Sequence, residues 1–190
     1  MALRESKKRA MILRVQDAAF RLALEHGYEG TTVEAVAAIA EVSPSTVYRT
    51  FGAKERIYLW DELELPAIEV LEGELADHSP AGAVIAVVEA LGNAEFHLPA
   101  TQMRARARFV FTEPGLRCAL REEFARFEVT LTDMFIRRGG IEWGEARIIS
   151  AAGVAAMSAA AEEWALAEPP RAFADIATEA AASLRRVLSG

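Results

Sequence analysis

The chain has 190 residues, of which 52% are hydrophobic and 26% charged, and this balance excludes an intrinsically disordered protein. Its single cysteine, Cys118, excludes an internal disulfide. The net charge of −7 argues against a strongly basic nucleic-acid binder. However, residues 1–56 hold nine basic against seven acidic residues, and phosphate binding depends on such local cations. No apolar run is long enough to span a membrane and the N-terminus lacks a signal-peptide core, so we expect a cytoplasmic protein without a membrane partner.

The first helix is predicted from about Ser6 to His26. It is supported by one apolar stripe at helical spacing, which comprises Ile12, Val15, Ala19, Leu22, Ala23 and His26. Gly27 follows, at the position where glycine ends many helices.

Residues 31–54, TTVEAVAAIAEVSPSTVYRTFGAK, predict two short helices joined by a tight turn. The first of them opens with Thr31, in a Thr31-x-x-Glu34 capping box, or with Thr32 as its cap. The second opens with Ser43 and Pro44 and runs to about Phe51, because serine caps free amides and proline suits the first helical position.

The second short helix has an inward and an outward side. Val47 and Phe51 are four residues apart and face inward. The outward side presents hydroxyls, an arginine and a tyrosine, namely Ser45, Thr46, Tyr48, Arg49 and Thr50. A helix-turn-helix protein reads the major groove with such a helix, so the chain is predicted to bind double-stranded DNA. Taken alone, Arg49 would be a solvated helix charge, and within this motif we assign it to DNA.

The rest of the chain predicts further helices separated by proline and glycine breaks. A long helix from about Lys54 to Ala76 should kink or break at Pro66. The other predicted helices lie near residues 81–95, 99–112, 115–138, 143–167 and 171–189. The expected fold class is all-α with about nine helices, divided into a three-helix N-terminal domain (1–53) and a helical C-terminal domain (54–190).

The last two helices predict an interface between two copies of the chain. From Ile148 to Leu166 the penultimate helix is apolar nearly all round, and such a helix needs cover on both sides. The alternative is that both helices only close the core of one chain. The predicted interface residues are Ile148, Ala152, Ala155, Ala159, Phe173, Ile176, Ala180 and Leu184.

The motif residues occur in a fixed order, which is Gly27-Tyr28, Thr31-Thr32, Ile39-Ala40, Val42-Ser43, Tyr48, Phe51 and Lys54. With this order, residues 14–58 resemble the TetR family of transcriptional regulators. Two positions depart from the family pattern, since Glu41 stands where glycine is usual and Ala53 where a polar cap is frequent. A left-handed backbone at Glu41 would cost about 1 kcal/mol.

The resemblance implies roles for the residues around the turn. Lys54 and Tyr48 are expected to contact phosphates, and Thr32 and Ser43 can donate to phosphates as well. Base edges would be read by Ser45, Thr46 and Arg49, with Thr50 on the same side of the helix. Near the N-terminus, Lys7, Lys8 and Arg9 form a basic arm that either solubilises the end of the chain or contacts phosphate or the minor groove.

The resemblance also implies that the C-terminal domain binds a small-molecule effector. The candidate pocket residues are Trp60, Phe96, Met103, Phe109, Phe124, Phe127 and Trp164. The alternative for each of them is ordinary core packing. Arg104 and Arg108 share a helical face, and we interpret them as solvated arginines paired with glutamates; an arginine that holds an acidic ligand is the alternative.

These features together predict a homodimeric repressor that binds a near-palindromic DNA operator and is released by its effector. Transcriptional activation and effector-independent architectural DNA binding are alternatives. A further alternative is a helical ligand-binding protein or enzyme whose N-terminal helices are purely structural. No enzymatic activity, cofactor or metal is expected, because the three histidines are scattered and no glycine-rich phosphate loop occurs.

Overall fold

The structure is a computed structural model that describes residues 2–59, 64–93 and 98–189. The described residues form ten α-helices and no β-strand, which confirms the predicted all-α fold. In chain order the helices are α1 (Ala2–Gly30), α2 (Val33–Ile39), α3 (Pro44–Phe51), α4 (Lys54–Leu59), α5 (Glu64–Glu74), α6 (Pro80–Leu91), α7 (Ala100–Thr112), α8 (Pro114–Gly139), α9 (Trp143–Leu166) and α10 (Phe173–Ser189).

The chain divides into two compact units. The N-terminal unit consists of Met1–Trp60 together with Glu113–Ala119, and the C-terminal unit consists of Asp61–Thr112 together with Leu120–Gly190. Helix α8 therefore begins in the N-terminal unit and continues in the C-terminal one.

The core of the N-terminal unit is built on the predicted stripe of α1. Five of the six stripe residues are buried, and they are Ile12, Val15, Ala19, Leu22 and Ala23. His26, the sixth, is exposed, so its assignment to the stripe was wrong. It lies directly before Gly27, where the backbone leaves the helical conformation with a φ of 75°. The buried Gln16 joins α1 to α4, since its Nε2 donates to the Ile57 carbonyl at 2.9 Å.

Helix α2 is capped by Thr32, whose side chain accepts a hydrogen bond from the Ala35 amide at 3.1 Å. Thr31 is fully buried, and its hydroxyl donates to the Gly27 carbonyl at 2.9 Å. The capping box with Thr31 as its cap was therefore wrong, and the alternative cap, Thr32, is confirmed. Thr31 instead fastens the turn between α1 and α2.

The long helix predicted from Lys54 to Ala76 is described as two helices, α4 and α5. Residues 60–63 lie outside the described residues. Pro66 lies in α5, and the kink or break expected at this residue stays a prediction.

The C-terminal unit has one main core, to which α5, α6, α8, α9 and α10 all contribute. Its buried members include Leu71, Val84, Phe135, Ile149 and Leu184. Helices α6 and α9 approach closely at Gly153, because a β-carbon built there would lie only 2.5 Å from Val84 Cγ1. Within the described ranges, no helix has the length and apolarity required to cross a bilayer.

Candidate nucleic-acid interface

Helix α3 starts at a side-chain cap. Ser43 Oγ accepts a hydrogen bond from the Thr46 amide at 3.1 Å, and Pro44 follows as the first helical residue. The same oxygen lies 2.9 Å from Ser45 Oγ and 2.8 Å from Thr46 Oγ1. The helix therefore begins with three linked hydroxyls, of which Ser43 and Ser45 are exposed.

The two sides of α3 are those expected from the residue spacing. Val47 and Phe51 are buried and fix the helix to the N-terminal unit. On the opposite side, Ser45, Tyr48 and Arg49 are exposed, and Tyr48 leaves 48% of its surface accessible. Their arrangement gives a short, rigid helix with a free polar side, which is the geometry that readout of base edges requires.

Thr46 and Thr50, also predicted to face DNA, are half-buried. Thr50 donates its hydroxyl to the Thr46 carbonyl at 2.8 Å, one turn earlier on the helix. Thr50 thus already has a hydrogen-bond partner within α3, whereas Arg49 projects from the exposed side.

The turn between α2 and α3 contains the left-handed residue that the resemblance put in question. Glu41 has a φ of 55°. The Glu41 amide donates to the Ala38 carbonyl at 3.3 Å, and the Val42 amide donates to the Ala37 carbonyl at 3.0 Å. This pair of bonds is the Schellman ending of a helix, in which glycine is the usual left-handed residue.

Lys54 is held by Tyr28. The Lys54 Nζ donates to the Tyr28 carbonyl oxygen at 2.7 Å and lies 4.0 Å from the centroid of the Tyr28 ring. A phosphate contact was predicted for Lys54 from the sequence, but this attachment to Tyr28 was not. No spacing rule connects two residues 26 positions apart, so only the folded chain shows the contact.

The hydroxyl of Tyr28 is bound as well. It donates to Glu55 Oε1 at 2.6 Å. This hydrogen bond lowers the pKa of Glu55, because it stabilises the carboxylate. Burial, followed by the same hydrogen bond, raises the pKa of Tyr28 above its ordinary value. Neither Glu55 nor Tyr28 was predicted from the sequence to have a role at the site.

Tyr28 packs in an aromatic cluster with Tyr58 and Phe20. The ring of Tyr58 meets the Tyr28 ring at a centroid distance of 5.6 Å and the Phe20 ring at 5.1 Å, both edge to face. Burial raises the pKa of Tyr58 to about 12, so it stays neutral at physiological pH. These contacts tie the C-terminal end of α4 to α1.

The basic residues near the N-terminus, Lys7, Lys8 and Arg9, are exposed. They lie within α1, so they form a helical extension of the N-terminal unit. A contact between this extension and DNA stays a prediction.

Four of the candidate pocket residues fall into two groups in the C-terminal unit. Met103 packs with Trp164 in a small cluster between α7, α9 and α10. Phe124 and Phe127 pack against the main core instead. Phe109 is half-buried on α7. Trp60 and Phe96 lie outside the described residues.

Arg104 and Arg108 both pair with a glutamate, as predicted, but only Arg108 is exposed; Arg104 is half-buried, so its interpretation as a solvated arginine was wrong. Arg108 Nη1 lies 3.0 Å from Glu168 Oε1, and Arg104 Nη2 lies 3.6 Å from the same oxygen. Arg104 does more than this, because its Nε donates to the Trp164 carbonyl at 3.0 Å and its Nη2 donates to the Ala167 carbonyl. It therefore caps the C-terminal end of α9.

The predicted interface residues separate into three sets by their exposure. On α9, Ile148, Ala155 and Ala159 are exposed, and Ile148 leaves 67% of its surface accessible. On α10, Ile176 and Leu184 are fully buried in the chain's own core, so they present no surface to a partner. The remaining three residues, Ala152, Phe173 and Ala180, are half-buried. The residue spacing identified the apolar side of α10 correctly. It did not show that α6 and α9 of the same chain cover this side.

Within the described ranges, no group of three or more His, Cys, Asp and Glu side chains is placed to hold a metal ion.

Residues 16–59 match the model of a known family, which is described as bacterial regulatory proteins, tetR family. The HTH-type transcriptional regulator TcmR of Streptomyces glaucescens is 32% identical over 147 residues, which make up 74% of this chain. The matched region spans 65% of TcmR, slightly under two thirds of its length.

The fold is similar to that of a solved Thermus thermophilus protein, FadR, a TetR family transcriptional repressor in complex with lauroyl-CoA. The TM-score is 0.50 at 17% identity, and the match covers 91% of this chain and 92% of FadR. At this identity the likeness concerns the fold alone. The family match over residues 16–59 and the identity with TcmR agree: the N-terminal helix-turn-helix segment of the chain is similar to that of the TetR family.

Proposed function

We propose that the protein is a ligand-responsive transcriptional repressor that binds a near-palindromic DNA operator as a homodimer. The N-terminal domain (1–53) would bind DNA together with Lys54, the first residue after it, and the C-terminal domain (54–190) would otherwise bind the effector and form the dimer. One observation carries the proposal: α3 turns an exposed polar side to solvent while Val47 and Phe51 hold its other side in the core. A helix fixed in this way can enter a major groove without losing its conformation.

The side chains divide by the part of DNA that they would contact. Arg49 is assigned to a guanine edge, because its guanidinium can bind the O6 and N7 atoms together. Ser45 and Thr46 would read neighbouring bases. The phosphate contacts are assigned to the residues at the edges of the motif, namely Thr32, Ser43, Tyr48 and Lys54. Thr50 completes the DNA-facing set.

The effector would bind in the C-terminal unit. In support, the FadR structure that shares this fold is described in complex with lauroyl-CoA, a small molecule. Large half-buried side chains of α7 and α8, including Phe109, Phe124 and Phe127, are candidates for contact with a ligand. Such a ligand releases DNA only if it binds better to the state in which the two DNA-binding units no longer fit adjacent major grooves.

The dimer contact is assigned to the exposed side of α9. Ile148, Ala155 and Ala159 offer an apolar surface of small residues with one large anchor. Two-fold dimers are the commonest oligomers, and a dimer of this kind matches the two half-sites of a palindrome.

The DNA contacts are tested by comparing two substitutions on two duplexes. Arg49→Ala should weaken binding to a selected operator by about tenfold to a hundredfold and change binding to a random duplex little, since a base contact contributes about 1–3 kcal/mol of discrimination. Lys54→Met should weaken both and reduce the slope of log affinity against log salt by about one. Titration by fluorescence anisotropy at several salt concentrations measures both effects.

The matched control is Arg185→Ala in the C-terminal unit, which removes one positive charge outside the motif. It should leave both affinities unchanged. Equal losses for Arg49→Ala on the selected and the random duplex would contradict the assignment of Arg49 to base readout.

A further inference from the structure

Tyr28 binds two successive residues at the start of α4. Its carbonyl oxygen and ring face hold the Lys54 ammonium, and its hydroxyl holds the Glu55 carboxylate. Tyr28 is buried, Lys54 and Glu55 are half-buried, and all three belong to the N-terminal unit. A single residue thus binds the Lys54 ammonium, through its backbone carbonyl and through the face of its ring.

The ring itself has little freedom to move. Tyr58 packs edge to face against it. The first turn of α8 lies beside it, because a β-carbon built at Gly115 would be 3.4 Å from Tyr28 Cε1, an ordinary contact distance. The hydrogen bond to Glu55 fixes the remaining end of the ring. The Tyr28 ring, on which the Lys54 ammonium rests, is therefore held rigidly.

The rigid Tyr28 ring lowers the entropy that the Lys54 side chain must lose when it binds a phosphate. A free lysine side chain loses rotamer entropy when it is ordered against a phosphate. An ammonium that already rests on a carbonyl and a ring face has lost that entropy in the folded protein. An ammonium carries three protons, and the carbonyl occupies one of them, so further protons remain for an incoming anion.

We infer that Tyr28 is a positioning residue for DNA binding: it holds the Lys54 ammonium in place for a phosphate, and Glu55 locks Tyr28 in the required orientation. This inference rests on the proposed function, since it assumes that Lys54 contacts DNA. According to this inference, Tyr28 increases the affinity for DNA only when Lys54 is present.

The test is a double-mutant cycle on the affinity for a random-sequence DNA duplex at low salt. Lys54→Met removes the ammonium and keeps an unbranched stem, and Tyr28→Leu removes the ring. With Lys54 present, Tyr28→Leu should weaken binding by about threefold to tenfold, because the released lysine must be ordered on binding. In the Lys54→Met protein the same substitution should change the affinity by less than about 1.5-fold.

A purely structural role would give a different pattern. If Tyr28→Leu causes the same loss in both backgrounds, Tyr28 only supports the fold and the inference is overturned. Should Tyr28→Leu not fold, as judged by circular dichroism, Tyr28→Phe replaces it, since it removes only the hydroxyl bound by Glu55. We then expect about a twofold loss with Lys54 present and none in the Lys54→Met protein, and equal losses again overturn the inference.

Failure of the proposed function gives a separate result. In that case the unmodified protein shows no salt-dependent binding to the duplex, or Lys54→Met leaves the binding unchanged. Failure of the positioning role alone leaves both of these effects intact and removes only the coupling between Tyr28 and Lys54.

Discussion

Glu41 is the one residue other than glycine that has a positive φ in the described part of the chain. It ends α2 and precedes the cap of α3, so its backbone sets the angle between the two helices of the motif. A β-carbon in the left-handed conformation costs about 1–2 kcal/mol. The buried Val36 and Ala37 on one side of the turn and Val47 on the other hold the turn in place despite this cost.

Glu41→Gly should therefore stabilise the protein. The strain is relieved, and part of the gain is lost to the greater freedom of glycine in the unfolded chain, so we expect a net increase of about 0.5–1 kcal/mol in the free energy of unfolding. Urea denaturation measures it. Ala38→Gly, at an exposed helical position three residues earlier, is the control and should lower the same quantity by about 1 kcal/mol. A loss of stability for Glu41→Gly would show that the Glu41 side chain makes a stabilising contribution larger than the strain.

At the scale of the element, the end of α9 depends on a residue of α7. The last carbonyls of a helix have no partner within it, and Arg104 donates to those of Trp164 and Ala167. Arg108, one turn further on α7, binds the exposed Glu168 carboxylate. The two arginines look alike in the sequence and differ in what they bind.

Arg104→Met should lower the free energy of unfolding by about 1–3 kcal/mol, since it removes charge-assisted hydrogen bonds to half-buried carbonyls. Arg108→Met should change it by no more than about 0.5 kcal/mol, because an exposed ion pair contributes little. Thermal unfolding of the two variants provides the comparison. Equal effects would mean that Arg104, like Arg108, acts only through Glu168.

The helices themselves were largely predictable because they depend on neighbouring residues. Gly27 interrupts the helical backbone where the first helix was expected to end, although α1 extends to Gly30, and α3 spans the predicted residues 44–51 with Pro44 at its start. What a helix packs against depends on distant parts of the chain. The apolar side of α10, which includes Ile176 and Leu184, was therefore assigned to a partner subunit, although the chain covers it with its own α6 and α9.

At the candidate site too, features that depend on neighbouring residues were predictable and contacts between distant residues were not. The outward residues of α3 follow from spacing along a single helix, so the sequence placed Ser45, Tyr48 and Arg49 correctly on the exposed side. The attachment of Lys54 to Tyr28 brings together two helices, and no local pattern encodes it. The contact that could not be predicted from the sequence is thus one between residues far apart in the chain.

At the scale of the whole molecule, the proposed dimer uses the exposed side of α9. Ala155→Glu would place a charge in the middle of this side, and a buried unpaired charge is strongly unfavourable. We expect the unmodified protein to sediment at twice the mass of one chain and the Ala155→Glu variant to sediment as a monomer. Ala125→Glu, at an exposed position of α8, is the control and should leave the dimer intact. A dimeric Ala155→Glu variant would exclude this side of α9 as the interface.

The N-terminal unit is discontinuous in the chain, because Glu113–Ala119 belongs to it together with Met1–Trp60. This short return supplies Gly115 beside the Tyr28 ring and the fully buried Leu116. A recombinant fragment cut at residue 60 would consequently lack a piece of its own interior. Anyone who wishes to transplant the operator-reading part into a chimeric regulator should carry that helical turn along with it, or fill the gap by redesign.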